Sequence, residues 1–167
     1  MRDLFPVRRA SDASAWTALV VDDHRFMRAI LWTMLAALGA RRVFEASNAA
    51  AALEILAEEH VDVVVLDYRM TPVDGVSLAR VVRSLNERFR TVPIVMVSGH
   101  GSRSLVQRAR DAGVDEFVSK PLTVRALAKR LDSVMTRPRS FVECAGFAGP
   151  DRRRRRGVPG ESRRRAS

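Results

Sequence analysis

The chain has 167 residues, 47% of them hydrophobic, which suits one domain of ordinary size with its own core plus short tails. Its formal charge of +10 is unevenly placed: residues 137 to 167 carry ten Arg against Glu143, Asp151 and Glu161, so the basic character belongs to the tail. A lone Cys144 excludes an internal disulfide, and neither the charged, Pro-containing start MRDLFPVRRASDASAW nor any later apolar run reads as a secretory or membrane-spanning segment, so a soluble cytoplasmic protein without membrane insertion is expected.

From residue 18 onward, short β-branched runs alternate with helical patterns. ALVVD (18 to 22) precedes RFMRAILWTMLAALG, and RRVFEA (41 to 46) precedes NAAAALEILAEEH. VDVVVLD (61 to 67) precedes VSLARVVRSLNERF, VPIVMVS (92 to 98) precedes SLVQRARDAG, and DEFVSK (115 to 120) precedes VRALAKRLDSVM. Runs such as VVVL are apolar on both faces, as central strands covered by helices on either side must be. Five strand-helix units in strict alternation predict a five-stranded, doubly wound parallel α/β sheet. Gly39 and Gly113 stand where helices should stop. After Met135 the pattern fails, and Pro138, Gly146, Gly149, Pro150, Gly157, Pro159 and Gly160 punctuate a basic stretch that reads as a disordered extension. The expected organisation is an arm over 1–16, a domain over 17–136 and a disordered arginine-rich tail over 137–167.

Open α/β sheets place ligands at the carboxyl ends of their strands, so polar residues there carry information. Asp22 and Asp23 end the first run, Asp67 the third, Ser98 the fourth and Lys120 the fifth. Any one of these could merely cap the following helix. Three carboxylates on one edge repel each other unless a hard cation lies between them, and oxygen-only ligation favours Mg²⁺. Beside such an ion Asp67 is the expected phosphoacceptor, with Lys120 and the Ser98 hydroxyl stabilising the transferred phosphoryl group.

The segments VVDDHRFMR, VVVLDYRMTPVDG, IVMVSG and EFVSKP together resemble the CheY-like receiver domain of two-component response regulators, over residues 17 to 136. The resemblance implies a flavodoxin-like fold, a histidine kinase as phosphodonor, and a binding switch instead of an enzyme. It also implies that the Arg69 carbonyl completes the metal set, that Phe117 is the aromatic that changes rotamer on phosphorylation, and that Lys120-Pro121 is a cis peptide. One departure stands out: the family commonly carries Pro one residue before Pro72, where this chain has Thr71.

The tail admits four readings: a solvated charge run, nonspecific polyanion binding to nucleic acid, adhesion to an anionic membrane surface, or a specific ligand. Arg is used there to the exclusion of Lys, which bulk charge does not require. Guanidinium forks match phosphate bidentately, pair with the O6 and N7 of guanine and stack on flat rings, and Asp151 adds an acceptor for guanine N–H donors. Those properties suit cyclic di-GMP held by Asp151, by Arg152, Arg153, Arg154, Arg155 and Arg156, and by Arg163, Arg164 and Arg165. The segment SFVECAGFAGPDRRRRRGVPGESRRRAS is similar to the extension of the Cle proteins, CheY-like regulators of flagellated alphaproteobacteria. That likeness implies a cyclic di-GMP receptor whose body engages the flagellar motor switch protein, recruitment to the flagellar pole, and no specific DNA site. The competing expectation is conventional phosphorylation-driven signalling by protein contact, with the tail binding generic polyanion.

Overall fold

The structure is a computed structural model and describes residues 16–99, 101–144 and 146–152. Five strands, β1 (Trp16–Val21), β2 (Ala40–Ala46), β3 (Val63–Asp67), β4 (Ile94–Ser98) and β5 (Glu116–Ser119), pair in parallel in the order β2-β1-β3-β4-β5. Between and after them run helices α1 (Arg25–Ala37), α2 (Ala49–Glu58), α3 (Gly75–Ser84), the single turn α4 (Glu87–Arg90), α5 (Arg103–Asp111) and α6 (Val124–Thr136). The doubly wound α/β reading is therefore the observed fold. β3 and β4 are buried along their whole length because both faces of the sheet are covered. On one face Leu19, Val21, Leu66, Ile94 and Met96 pack with Val76, Ala79 and Ala109. On the other Val20, Val65, Val95 and Val97 meet Leu31, Leu35, Leu127 and Leu131.

Local sequence explains the helix boundaries. Asn48, Asp74, Ser102 and Thr123 each accept a hydrogen bond from a backbone N–H in the first turn of the helix they precede. The VSLARVVRSLNERF run, expected as one helix, divides at Leu85, whose backbone is extended, and Asn86 starts α4. Gly39 (φ +93°) and Gly113 (φ +83°) take left-handed conformations where α1 and α5 end.

The tail reading is corrected over the described residues 137–144 and 146–152. These are not structureless: β6 (Phe141–Cys144) and β7 (Phe147–Pro150) pair antiparallel as a hairpin against the end of the sheet where α3 and α5 terminate. Composition suggested disorder because each apolar group in the segment stands alone. In the fold Phe141, Phe147 and Gly149 meet prepared partners. The Phe141 ring lies beside the guanidinium groups of Arg83 and Arg90, at 6.0 and 5.5 Å from its centroid. Gly149 and Pro150 are buried, and a Cβ on Gly149 would stand 2.7 Å from the Cα of Gly113, so the two glycines permit a contact that no other pair would. Arg139 donates to the Asp115 carbonyl, Arg90 pairs with Glu143 at 2.9 Å, and Arg152 pairs with Asp111 at 3.1 Å. The remaining tail residues named above, Arg153 to Arg156 and Arg163 to Arg165, lie outside the described residues.

Beneath the hairpin is a buried polar network that the sequence did not announce. Arg83 is 4% exposed and donates to the carbonyls of Gly113, Arg90 and Val92 and to the Asp115 carboxylate, which also accepts from the Ile94 N–H. Burial lowers the Arg83 pKa and raises that of Asp115, each opposed by the charge of the other.

Candidate functional site: the carboxylate pocket

The pocket lies at the carboxyl ends of β1, β3, β4 and β5, around the point where chain order reverses between β1 and β3. Asp22, Asp67 and Ser98 are 0%, 3% and 1% exposed, whereas polar residues at strand ends are ordinarily solvated. The two carboxylates are fixed by their surroundings. Asp67 accepts the Arg69 N–H through Oδ2 at 2.8 Å and the Lys120 ammonium through Oδ1 at 2.8 Å. Asp22 accepts the His24 N–H through Oδ1 at 2.8 Å, and its backbone carbonyl takes a hydrogen bond from Arg28. Asp23 faces the Thr71 N–H at 3.4 Å through Oδ2, tying the β1 end to the loop that follows β3.

One atom is left without a partner. The Oδ2 of Asp22 is buried, accepts no hydrogen bond and lies 3.8 Å from the Lys120 ammonium, beyond hydrogen-bonding reach. Burial pushes the Asp22 carboxyl above the ordinary carboxylate range; the His24 N–H and Lys120 oppose the shift, while Asp67 and Asp23 reinforce it. A buried carboxylate oxygen without a donor is costly, and a hard cation supplies what is missing. The donor set therefore fits Mg²⁺.

The sequence-derived residues fall as follows. Asp22, Asp67 and Lys120 converge through the contacts above, Asp23 follows Asp22 and acts on it by charge, Arg69 adjoins Asp67, and Ser98 ends β4 beside them. Phe117 lies in β5 opposite Met96, half-buried against the core. Lys120-Pro121 is cis, and so is Thr71-Pro72 in the loop that departs from the usual pattern. Asp151 donates its N–H to the Ser140 carbonyl, and Arg152 lies with its guanidinium 3.9 Å from the centroid of the Phe147 ring. These two belong to the hairpin and not to the carboxylate pocket. Two residues went unnoticed in the sequence: Arg28, which reaches back one turn of α1 to hold Asp22, and His24, discussed below.

Residues 18–132 match the family model of the response regulator receiver domain. The chain belongs to that family. It is 34% identical over 119 residues to the chemotaxis protein CheY of Pseudomonas aeruginosa, which covers 71% of this chain and 95% of the relative. Among solved structures, Vibrio cholerae CheY4 superposes with a TM-score of 0.68 at 25% identity, over 72% of this chain and 99% of that one. CheY from a CheX-CheY-BeF₃-Mg²⁺ complex of Borrelia burgdorferi gives 0.66 at 25% identity, over 71% and 88%. The matched family region ends before the hairpin. No helix of the described residues is long and apolar enough to cross a membrane.

Proposed function

We propose that this protein is a response regulator of motility with two inputs, phosphorylation at Asp67 and cyclic di-GMP at the arginine-rich tail. In this reading it acts in the cytoplasm as a binding switch and not an enzyme. Its receiver body engages the flagellar motor switch protein at the flagellar pole. The observation that carries the first input is the unpartnered, buried Oδ2 of Asp22 beside the Asp67–Lys120 ion pair. Asp22, Asp23, Asp67 and the Arg69 carbonyl are the Mg²⁺ ligands, and the ion, when bound, neutralises charge on the phosphoryl oxygens.

The chain's own groups do the rest. A carboxylate oxygen of Asp67 forms a bond to phosphorus as the bond from phosphorus to the donor, a histidine kinase or acetyl phosphate, breaks and the donor keeps the electron pair. Lys120 exchanges its bond to Asp67 for one to a phosphoryl oxygen, and the Ser98 hydroxyl donates to another. Phe117 then responds by a change of rotamer. Among relatives, the chemotaxis protein of P. aeruginosa and the BeF₃- and Mg²⁺-bound CheY of B. burgdorferi support both the chemistry and the setting.

For the second input, support comes from the hairpin. It delivers Arg152, the first residue of the run, to the rim of a groove of about 570 Å³ between the hairpin and the ends of α3 and α5. There an aromatic ring, Phe147, already accepts a guanidinium face. An aromatic ring beside a guanidinium fork suits a ligand with both purine rings and phosphates. Beryllofluoride with Mg²⁺ should shift NMR signals of Asp67, Ser98 and Phe117, and silence at all three refutes the first input. Calorimetry on the full chain tests the second. Changing Arg152, Arg153, Arg154, Arg155 and Arg156 to Lys keeps every charge and should abolish cyclic di-GMP binding, and cyclic di-AMP should bind poorly. Equal binding of both dinucleotides, or full affinity in the Lys variant, returns the tail to generic polyanion binding.

A further inference from the structure

His24 follows the two aspartates of β1 and occupies the N-cap position of α1, where Ser, Thr, Asp or Asn would ordinarily accept a first-turn N–H. Its side chain makes no such bond. The imidazole Nδ1 turns instead toward the carboxylates, 2.8 Å from the Asp23 Oδ1 and 3.7 Å from the Asp22 Oδ1. One ligand atom from each of the three residues lies within 4.8 Å of the others. Adjacent ligands around a first-row cation with bonds of about 2.1 Å stand roughly 3.0 to 3.4 Å apart, octahedral or tetrahedral. The two His24 separations bracket that range, so one small side-chain rotation brings the nitrogen into a common coordination sphere. The other oxygen of Asp22, Oδ2, is buried and lacks a partner, while Oδ1 accepts the His24 N–H.

We propose that His24 is a nitrogen ligand available to the pocket's cation, so that the site holds a first-row transition ion such as Mn²⁺ or Zn²⁺ as well as Mg²⁺. The inference rests on the reading of Asp22 and Asp23 as cation ligands and adds to it a residue that widens the range of ions held. Imidazole suits transition cations, whereas an all-oxygen set suits Mg²⁺. The imidazole is 79% exposed, so it can swing onto a metal without disturbing the core.

The test uses the full chain with Mn²⁺ as probe. Pulsed electron paramagnetic resonance of the Mn²⁺-loaded protein should show coupling to an imidazole ¹⁴N, and His24→Ala should remove it while Mn²⁺ remains bound at higher concentration. Calorimetry should find that His24→Ala weakens Mn²⁺ by about tenfold while moving Mg²⁺ by about twofold or less. Asp22→Asn should remove saturable binding of both ions, which locates the signal in this pocket and not at His60. Bound Mn²⁺ without nitrogen coupling, coupling that survives His24→Ala, or equal weakening of both ions overturns the role of His24 and leaves the carboxylate site standing. No saturable binding of either ion to the native protein overturns both.

Discussion

Replacing Arg83 by Leu should cost more stability than any single surface change. The guanidinium is 4% exposed and serves four acceptors: the carbonyls of Gly113, Arg90 and Val92 and the Asp115 carboxylate at 2.8 Å. Leu fits the aliphatic part of the space and leaves all four without their donor. Removing one member of a buried ion pair costs about 3–5 kcal/mol, mostly because the other charge stays behind in low dielectric. For a chain of this size each kcal/mol lowers Tm by about 2–4 °C, so a fall of roughly 6–20 °C is expected. The sign with pH follows from Asp115. Burial already raises its pKa, and loss of Arg83 raises it further, so the folded variant binds a proton more readily than the unfolded chain. Stability of Arg83→Leu should therefore fall as pH rises through the folded pKa of Asp115, and the deficit should be larger at neutral pH than near the ordinary Asp value of 3.8. Adding Asp115→Asn keeps an oxygen for the Ile94 N–H, removes the stranded charge and should recover part of the loss. Urea titrations of the three proteins at two pH values decide the matter. A loss below about 1 kcal/mol for Arg83→Leu, or one independent of pH, would refute the buried-pair argument.

Two further outcomes follow from the same chemistry. In chelator, Asp22→Asn should be more stable than the native chain at neutral pH. The raised Asp22 pKa marks a penalty that is present above the folded value and relieved below the unfolded one, so the gap should close as pH falls below about 3.8, and Mg²⁺ should stabilise only the native chain. A chain truncated after Thr136 should still unfold cooperatively, because both core clusters lie before that point, but it should lose about 1–2 kcal/mol as Arg83 and Arg90 lose the Phe141 ring and the Arg83 network meets water. An unmoved melting transition would mean that the hairpin contributes nothing to the body.

The sheet was readable because four of its strands are marked twice, by apolar runs such as VVVLD and by a polar residue at the end, while β2, which ends in Ala46, shows only its place in the strand-helix alternation. Burial of Asp22, Asp67 and Ser98 follows from the parallel topology once the strand order is known. The hairpin was not readable for the opposite reason. FVEC and FAGP are four residues each, neither alternates cleanly, and what anchors them to the body, Arg83, Arg90 and Gly113, lies more than thirty residues away in sequence. Arg83 is instructive in the same way. VSLARVVR places Val76, Ala79 and Arg83 on one face of α3, and helical spacing would have put the last of these in the core had an arginine not argued for the surface. A buried Arg becomes reasonable only when three carbonyls and a carboxylate from other elements are seen to converge on it. His24 was visible as a letter and silent as a ligand, since a histidine after two aspartates is as readily an exposed N-cap.

The geometry also bears on how two inputs could inform one another. Helix α5 starts at Arg103, five residues past the end of β4 that closes the carboxylate pocket, and ends at Asp111, which holds Arg152 at the base of the arginine run. Its nine residues span about 14 Å as a hydrogen-bonded unit. Immediately beyond it, Gly113 is both the residue against which Gly149 of the hairpin seats and a carbonyl acceptor of Arg83. A displacement of α5 at its pocket end would reach the anchor of the tail along one helix. Linkage then imposes a symmetry: if occupancy of the pocket moves α5 enough to alter the Asp111–Arg152 pair, a ligand that orders the tail must alter affinity at the pocket by the same factor. A hairpin seated on flexible loops would carry no such obligation. One seated on the end of a helix that starts near the pocket carries it wherever both proposed inputs hold, and reciprocal shifts in pocket and tail affinity are the measurement that decides.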